Sequence, residues 1–115
     1  MSNARHLPPW AALLLTLAGA SPALADEGEA LAREKGCFAC HNVDTAGAAP
    51  AFREIARRYG HQSNARDILV PVVHAGSDKP GIYHWGSRVM PPEGARRPVT
   101  AEEAEALVDY ILGLH

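Results

Sequence analysis

The chain has 115 residues, enough for one domain at most. Its 11 Lys and Arg stand against 13 Asp and Glu, a formal charge of −2. That balance is too mild and too mixed for a nucleic-acid binder. Aromatic residues make up only 6%, so a domain of this size has a small core, and a large apolar cofactor would help to fill it.

The first segment is read as a leader. Arg5 and His6 precede an apolar run from Trp10 to Ala20, "WAALLLTLAGA". That run is too short for a bilayer, which needs about 20 residues. Pro22 breaks it, and Ala23-Leu24-Ala25 is a small-x-small cleavage signature. Residues 1–25 are therefore expected to be a secretory signal peptide, leaving 26–115 as the functional domain with no membrane span. No Cys follows the cleavage point to take a lipid.

Four helices are expected. The first covers Glu27 to Gly36, with Asp26, Glu27 and Glu29 at its start and Arg33 and Lys35 at its end, as the helix dipole favours. The second starts after Pro50, a residue suited to a first helical position. Phe52, Ile55, Ala56 and Tyr59 make its apolar face, and Gly60 stops it. The third begins near Ser63 or Asn64 and carries Ile68, Leu69, Val72 and Val73 before Gly76. Pro71 lies inside it and removes a backbone donor, so a kink or break is expected there. The fourth opens on Thr100 and Glu103, a capping box, and buries Ala104, Leu107, Val108 and Ile111. Strand signals are almost absent, and the fold class is all-α.

Two loops separate these helices, 41–49 and 77–99. Loops longer than about 12–15 residues are commonly functional, and the second carries apolar anchors at Ile82, Trp85, Val89 and Met90.

Both cysteines fall in "KGCFACH", Lys35 to His41. Three chemistries use such a motif. A thiol–disulfide centre belongs beside a βαβ pattern, which this chain lacks. A zinc site needs two more ligands at regular spacing, and His61, His74, His84 and His115 fit no such template. The C-x-x-C-H pattern of covalent c-type haem attachment uses every residue of the motif. The two thiols add across the haem vinyl groups, and the adjacent His41 meets the iron. A secretory leader agrees, because c-type haem is attached outside the cytoplasm.

The opposite face of the iron needs a second ligand. Once Met1 leaves with the leader, Met90 is the only Met, and Pro91 and Pro92 stiffen the chain beside it. Met90 is therefore the expected ligand, with His74 and His84 as its competitors.

With "GCFACH", "GAAPAF", "WGSRVMPP" and the terminal "ALVDYIL" in order, the sequence resembles the small monohaem class I cytochromes c of bacteria. The resemblance covers nearly all of 26–115. It implies about four helices wrapped around one covalently attached haem. Cys37 and Cys40 would hold that haem, with His41 and Met90 on the iron. It further implies that Pro50 packs on the His side and helps to orient the imidazole. Trp85 would meet a haem propionate, and Tyr110 would pack against the first helix near Gly36. Three features depart from the family pattern: a longer segment before Trp85, Glu93 where the family often has Asn, and Pro71 within the third helix.

The function that follows is periplasmic electron transfer between redox protein partners, with no enzymatic site. An electron-accepting subunit of a periplasmic dehydrogenase complex is the alternative, and a thiol–disulfide redox protein a remote one. Arg88, Arg96, Arg97 and Lys79 surround the Met loop. They suit a solvated surface, propionate pairing or the docking of an acidic partner.

Overall fold

A computed structural model describes residues 22–80 and 88–115. Four helices carry the fold: α1 Pro22–Glu34, α2 Phe52–Tyr59, α3 Ala65–Ala75 and α4 Ala101–Leu112. One short 3-10 turn, Cys37–Ala39, lies between α1 and α2. Among the described residues the only extended pairing is an isolated bridge at Arg88, so the expected all-α class holds.

Helix α4 is the centre of the assembly and packs on α1, α2 and α3. Its sequence explains its entry. Thr100 Oγ1 accepts from the Glu103 N–H at 3.1 Å, and the Glu103 carboxylate accepts from the Thr100 N–H at 3.0 Å. Two orphan donors of the first turn are satisfied reciprocally. Ala104, Leu107, Val108 and Ile111 then bury as the periodicity requires. They meet Phe52, Ile55 and Tyr59 of α2, Ala65 and Val73 of α3, and Ala32 of α1 in one core. Lys35 ties the end of α1 to α4 through Glu103 at 2.8 Å.

Three boundaries differ from the sequence reading. Helix α1 starts at Pro22 rather than Glu27 and runs without interruption past Ala25–Asp26, so the acids 26–29 lie inside the helix instead of heading it. Helix α2 starts at Phe52, with Ala51 as an extended N-cap, which leaves the Pro50 carbonyl outside the helix. Helix α3 continues through Pro71 to Ala75, with no break. The physical reason is exposure. Pro71 and Asp67, whose carbonyl loses its partner, are both solvent-facing, so water can take up the orphaned acceptor.

Tyr110 packs on α1 as expected, but against Gly28 rather than Gly36. A Cβ added at Gly28 would lie 2.5 Å from Tyr110 Cβ and Cγ, so the absence of a side chain sets the α1–α4 approach.

Candidate functional site

Gly36 ends α1 with φ 77°, a left-handed conformation that glycine adopts without strain. The chain then tightens. The Cys40 and His41 amides both donate to the Cys37 carbonyl, at 3.3 and 2.9 Å. The two thiols and the imidazole therefore leave the backbone within one helical turn. Cys37 is half-buried and Cys40 exposed. Burial pushes the Cys37 thiol up.

His41 is positioned from two directions. Its Nδ1 lies 2.7 Å from the Pro50 carbonyl oxygen. A carbonyl only accepts, so Nδ1 carries the proton and Nε2 is left as the lone-pair nitrogen. The ring stacks on Phe52 with centroids 5.0 Å apart and planes inclined by 29°. Phe52 is 2% exposed and also meets Phe38 at 5.6 Å and Tyr110 edge-on at 6.0 Å. Burial pulls the His41 pKa down, and the Pro50 hydrogen bond opposes that pull. The net direction favours the neutral imidazole, the form that binds a metal. The role implied for Pro50 thus has a geometric basis, and its exclusion from α2 is what makes its carbonyl available.

Met90 lies on the other loop and is held by its backbone. Its N–H donates to Ser77 Oγ at 2.7 Å, and its carbonyl accepts from the Ser77 N–H at 3.0 Å. Ser77 itself is 5% exposed. Gly76 makes room for this pairing, with φ 90° and ψ 174° at the end of α3. Arg96 Nε donates to the Pro91 carbonyl at 2.7 Å, one residue beyond Met90. These contacts add to the stiffening expected of Pro91 and Pro92.

The other candidates divide. His74 turns its Nδ1 to the Val99 carbonyl at 2.8 Å, with Glu93 Oε1 3.9 Å away, so that nitrogen fastens the approach to α4. His84 and Trp85 fall outside the described residues. The arginines, read as suiting a solvated surface, propionate pairing or docking, donate to main-chain carbonyls, while Arg88 and Arg97 remain solvent-exposed and Arg96 half-buried. Arg88 donates to the Gly47 and Ala48 carbonyls, Arg96 to Pro91 and Val73, and Arg97 to Glu34. Sequence reasoning missed Phe52 as a neighbour of the imidazole and Ser77 as a partner of Met90, and it singled out Arg88, Arg96 and Arg97 without their carbonyl partners. The i, i+3, i+4 pattern marked Phe52 as core, but nothing in it marked the residue as the floor of the imidazole.

The donor set fits a c-type haem: two cysteines separated by two residues, an imidazole whose Nδ1 is committed to a carbonyl so that Nε2 is the lone-pair nitrogen, and a thioether on a fastened loop. The apolar surroundings fit as well. Phe38, Val43, Ile68, Leu69 and Val70 pack on the core yet stay only half-buried, and Val89 is 47% exposed. Such surface suits a flat apolar group.

Comparison with known proteins agrees with this geometry. The family model described as "Cytochrome c" matches residues 25–115. Cytochrome c-551 of Stutzerimonas stutzeri is 42% identical over 104 residues, covering 88% of this chain and 92% of that protein. Cytochrome c-552 of Nitrosomonas europaea is 37% identical over 108 residues, covering 94% of each. The crystal structure of wild-type Nitrosomonas europaea cytochrome c552 superposes with a TM-score of 0.63 at 34% identity, covering 76% of this chain and 99% of that one.

Proposed function

Because this chain belongs to the cytochrome c family and carries electrons on a covalently attached c-type haem, we propose that Cys37 and Cys40 form the thioethers and that His41 and Met90 bind the iron. The observation that carries this reading is the 2.7 Å contact between His41 Nδ1 and the Pro50 carbonyl. It fixes both the tautomer and the direction of the nitrogen offered to the metal.

The haem iron, when bound, supplies a one-electron couple, and ligation by Met with His favours its reduced form. The chain's own work is to keep the coordination unchanged. His41 is held between the Pro50 carbonyl and the Phe52 ring. Met90 is held by two backbone bonds to Ser77. If His41 and Met90 both bind the iron, no position would be left for oxygen or substrate, and the protein would exchange electrons with redox partners rather than catalyse a reaction.

The carrier works in the periplasm, with residues 1–25 removed as a leader. The Ala23-Leu24-Ala25 signature and the start of the family match at residue 25 support that boundary. Among the described residues no helix is long and apolar enough to cross a membrane.

The test takes the mature protein and its Met90→Ala variant. Wild type keeps its colour under haem staining on a denaturing gel. Its ferric form shows a long-wavelength sulfur-to-iron band, and its ferrous form does not bind carbon monoxide. Met90→Ala loses the band and gains carbon monoxide binding. Ready carbon monoxide binding by wild type would overturn Met90 as the ligand.

A further inference from the structure

Met90 lies between two arginines that donate to main-chain carbonyls. Arg88, two residues before it, places Nη1 at 2.7 Å from both the Gly47 and the Ala48 carbonyl oxygens. Those carbonyls belong to the loop that follows His41. The same loop is tied back to the C-x-x-C-H turn, with the Ala49 N–H donating to the Cys40 carbonyl at 3.0 Å and the Pro50 carbonyl facing His41. Arg88 therefore joins the loop of one candidate iron ligand directly to the loop of the other.

Arg96 completes the fastening on the opposite side. The Ser77 N–H, which in a longer helix would go to the Val73 carbonyl, goes to Met90 instead. Val73 is left with an orphan acceptor at a helix C-terminus. Arg96 Nη2 fills it at 2.6 Å while its Nε holds the Pro91 carbonyl at 2.7 Å.

We infer that Arg88 is a positioning residue for Met90, fixing the distance between the two ligand-bearing loops so that the thioether stays on the iron. This rests on the reading of Met90 as a ligand. The guanidinium suits the task because its rigid fork is always charged, and hydrogen bonds from a charged donor are among the strong ones. Loss of Arg88 leaves Gly47 and Ala48 to water and frees the Met90 loop to swing away. The population with Met90 detached then rises, and an external ligand for the iron binds more tightly in proportion.

The experiment titrates the ferric holoprotein with imidazole and follows loss of the sulfur-to-iron band. In Arg88→Gln the apparent affinity for imidazole is expected to rise about tenfold, the effect of weakening charged hydrogen bonds at a partly solvated site. Arg88→Lys, which keeps the charge and a donor, is expected between wild type and Arg88→Gln. The reduction potential of Arg88→Gln falls, because a loosened Met ligand stabilises the ferrous state less. Arg66→Gln is the control. It removes an exposed pair with Asp109 at the far end of α3 and leaves imidazole affinity unchanged. An Arg88→Gln affinity equal to wild type overturns the proposal, as does an equal rise in Arg66→Gln. A wild type that never shows the band overturns the Met90 reading first, and the inference with it.

Discussion

Gly76→Ala tests the joint between α3 and the Met90 loop. At φ 90° and ψ 174° the residue sits in a region essentially reserved for glycine, where another residue costs about 1–3 kcal/mol. The new Cβ would also lie 2.8 Å from Pro92 Cα, 2.9 Å from the Met90 carbonyl oxygen and 2.9 Å from the Pro91 carbonyl carbon. All three are backbone atoms and cannot rotate aside, so the loop must shift, at about 1–3 kcal/mol for an overpacked contact. Together the two effects come to about 4 kcal/mol, a large fraction of the ~5–15 kcal/mol that holds a small domain together. The melting temperature would fall by roughly 15–30 °C. Gly94→Ala separates the two effects: its φ is 89°, but no atom lies within 4 Å of an added Cβ. Urea unfolding of the holoproteins, followed by circular dichroism, should place Gly76→Ala about 1–3 kcal/mol below Gly94→Ala. If the two variants lose the same stability, the close approach of the Met90 loop to Gly76 is not what the residue is there for.

Phe52→Ala removes a side chain that is 2% exposed and touches the rings of Phe38, His41 and Tyr110; unfolding should register a loss of about 3–5 kcal/mol. Gly28→Ala drives a Cβ to within 2.5 Å of Tyr110 and should cost about 1–3 kcal/mol. Because Tyr110→Ala keeps the Cβ that lies 2.5 Å from the new methyl, only Tyr110→Gly should relieve most of that cost, and a double-mutant cycle of Gly28→Ala with Tyr110→Gly reads the coupling directly. The Lys35 hydrogen bond, helped by the Thr100 amide, holds the Glu103 carboxyl below the usual range. Its stabilising effect is thus present above the ordinary Glu value of about 4.3 and is lost as pH falls through the lower folded value. Glu103→Gln keeps the cap but should flatten the acid limb of urea midpoint against pH.

The parts legible in the sequence were those set by local chemistry. Thr100 and Glu103 announce the start of α4 because both partners of the capping box lie within one turn. Phe52, Ile55, Ala56 and Tyr59 announce the buried face of α2 through spacing alone. Cys37, Cys40 and His41 announce their chemistry because attachment requires them to be adjacent. Pro71 misled because its cost depends on whether the freed carbonyl can reach water, and exposure is decided by the tertiary fold. Arg88 and Arg96 were unreadable for a related reason. Which distant carbonyls need donors emerges only after Ser77 has turned its amide to Met90 and left Val73 without one. Position in the chain told where these arginines are but not which way they face.

The fastening of the Met90 loop also limits how this protein can be re-engineered. Loop transplantation treats a ligand-bearing segment as a cassette that can be swapped between scaffolds to reset its properties. Here the segment's anchors are distributed among Gly47 and Ala48 in one loop, Val73 and Gly76 in a helix end, Ser77 beyond it, and Arg96 downstream. A graft bounded at the ends of the loop would separate Met90 from most of what holds it. The transferable unit is the whole set of contacts, and a chimera that carried the loop sequence alone would inherit Met90 without inheriting its hold.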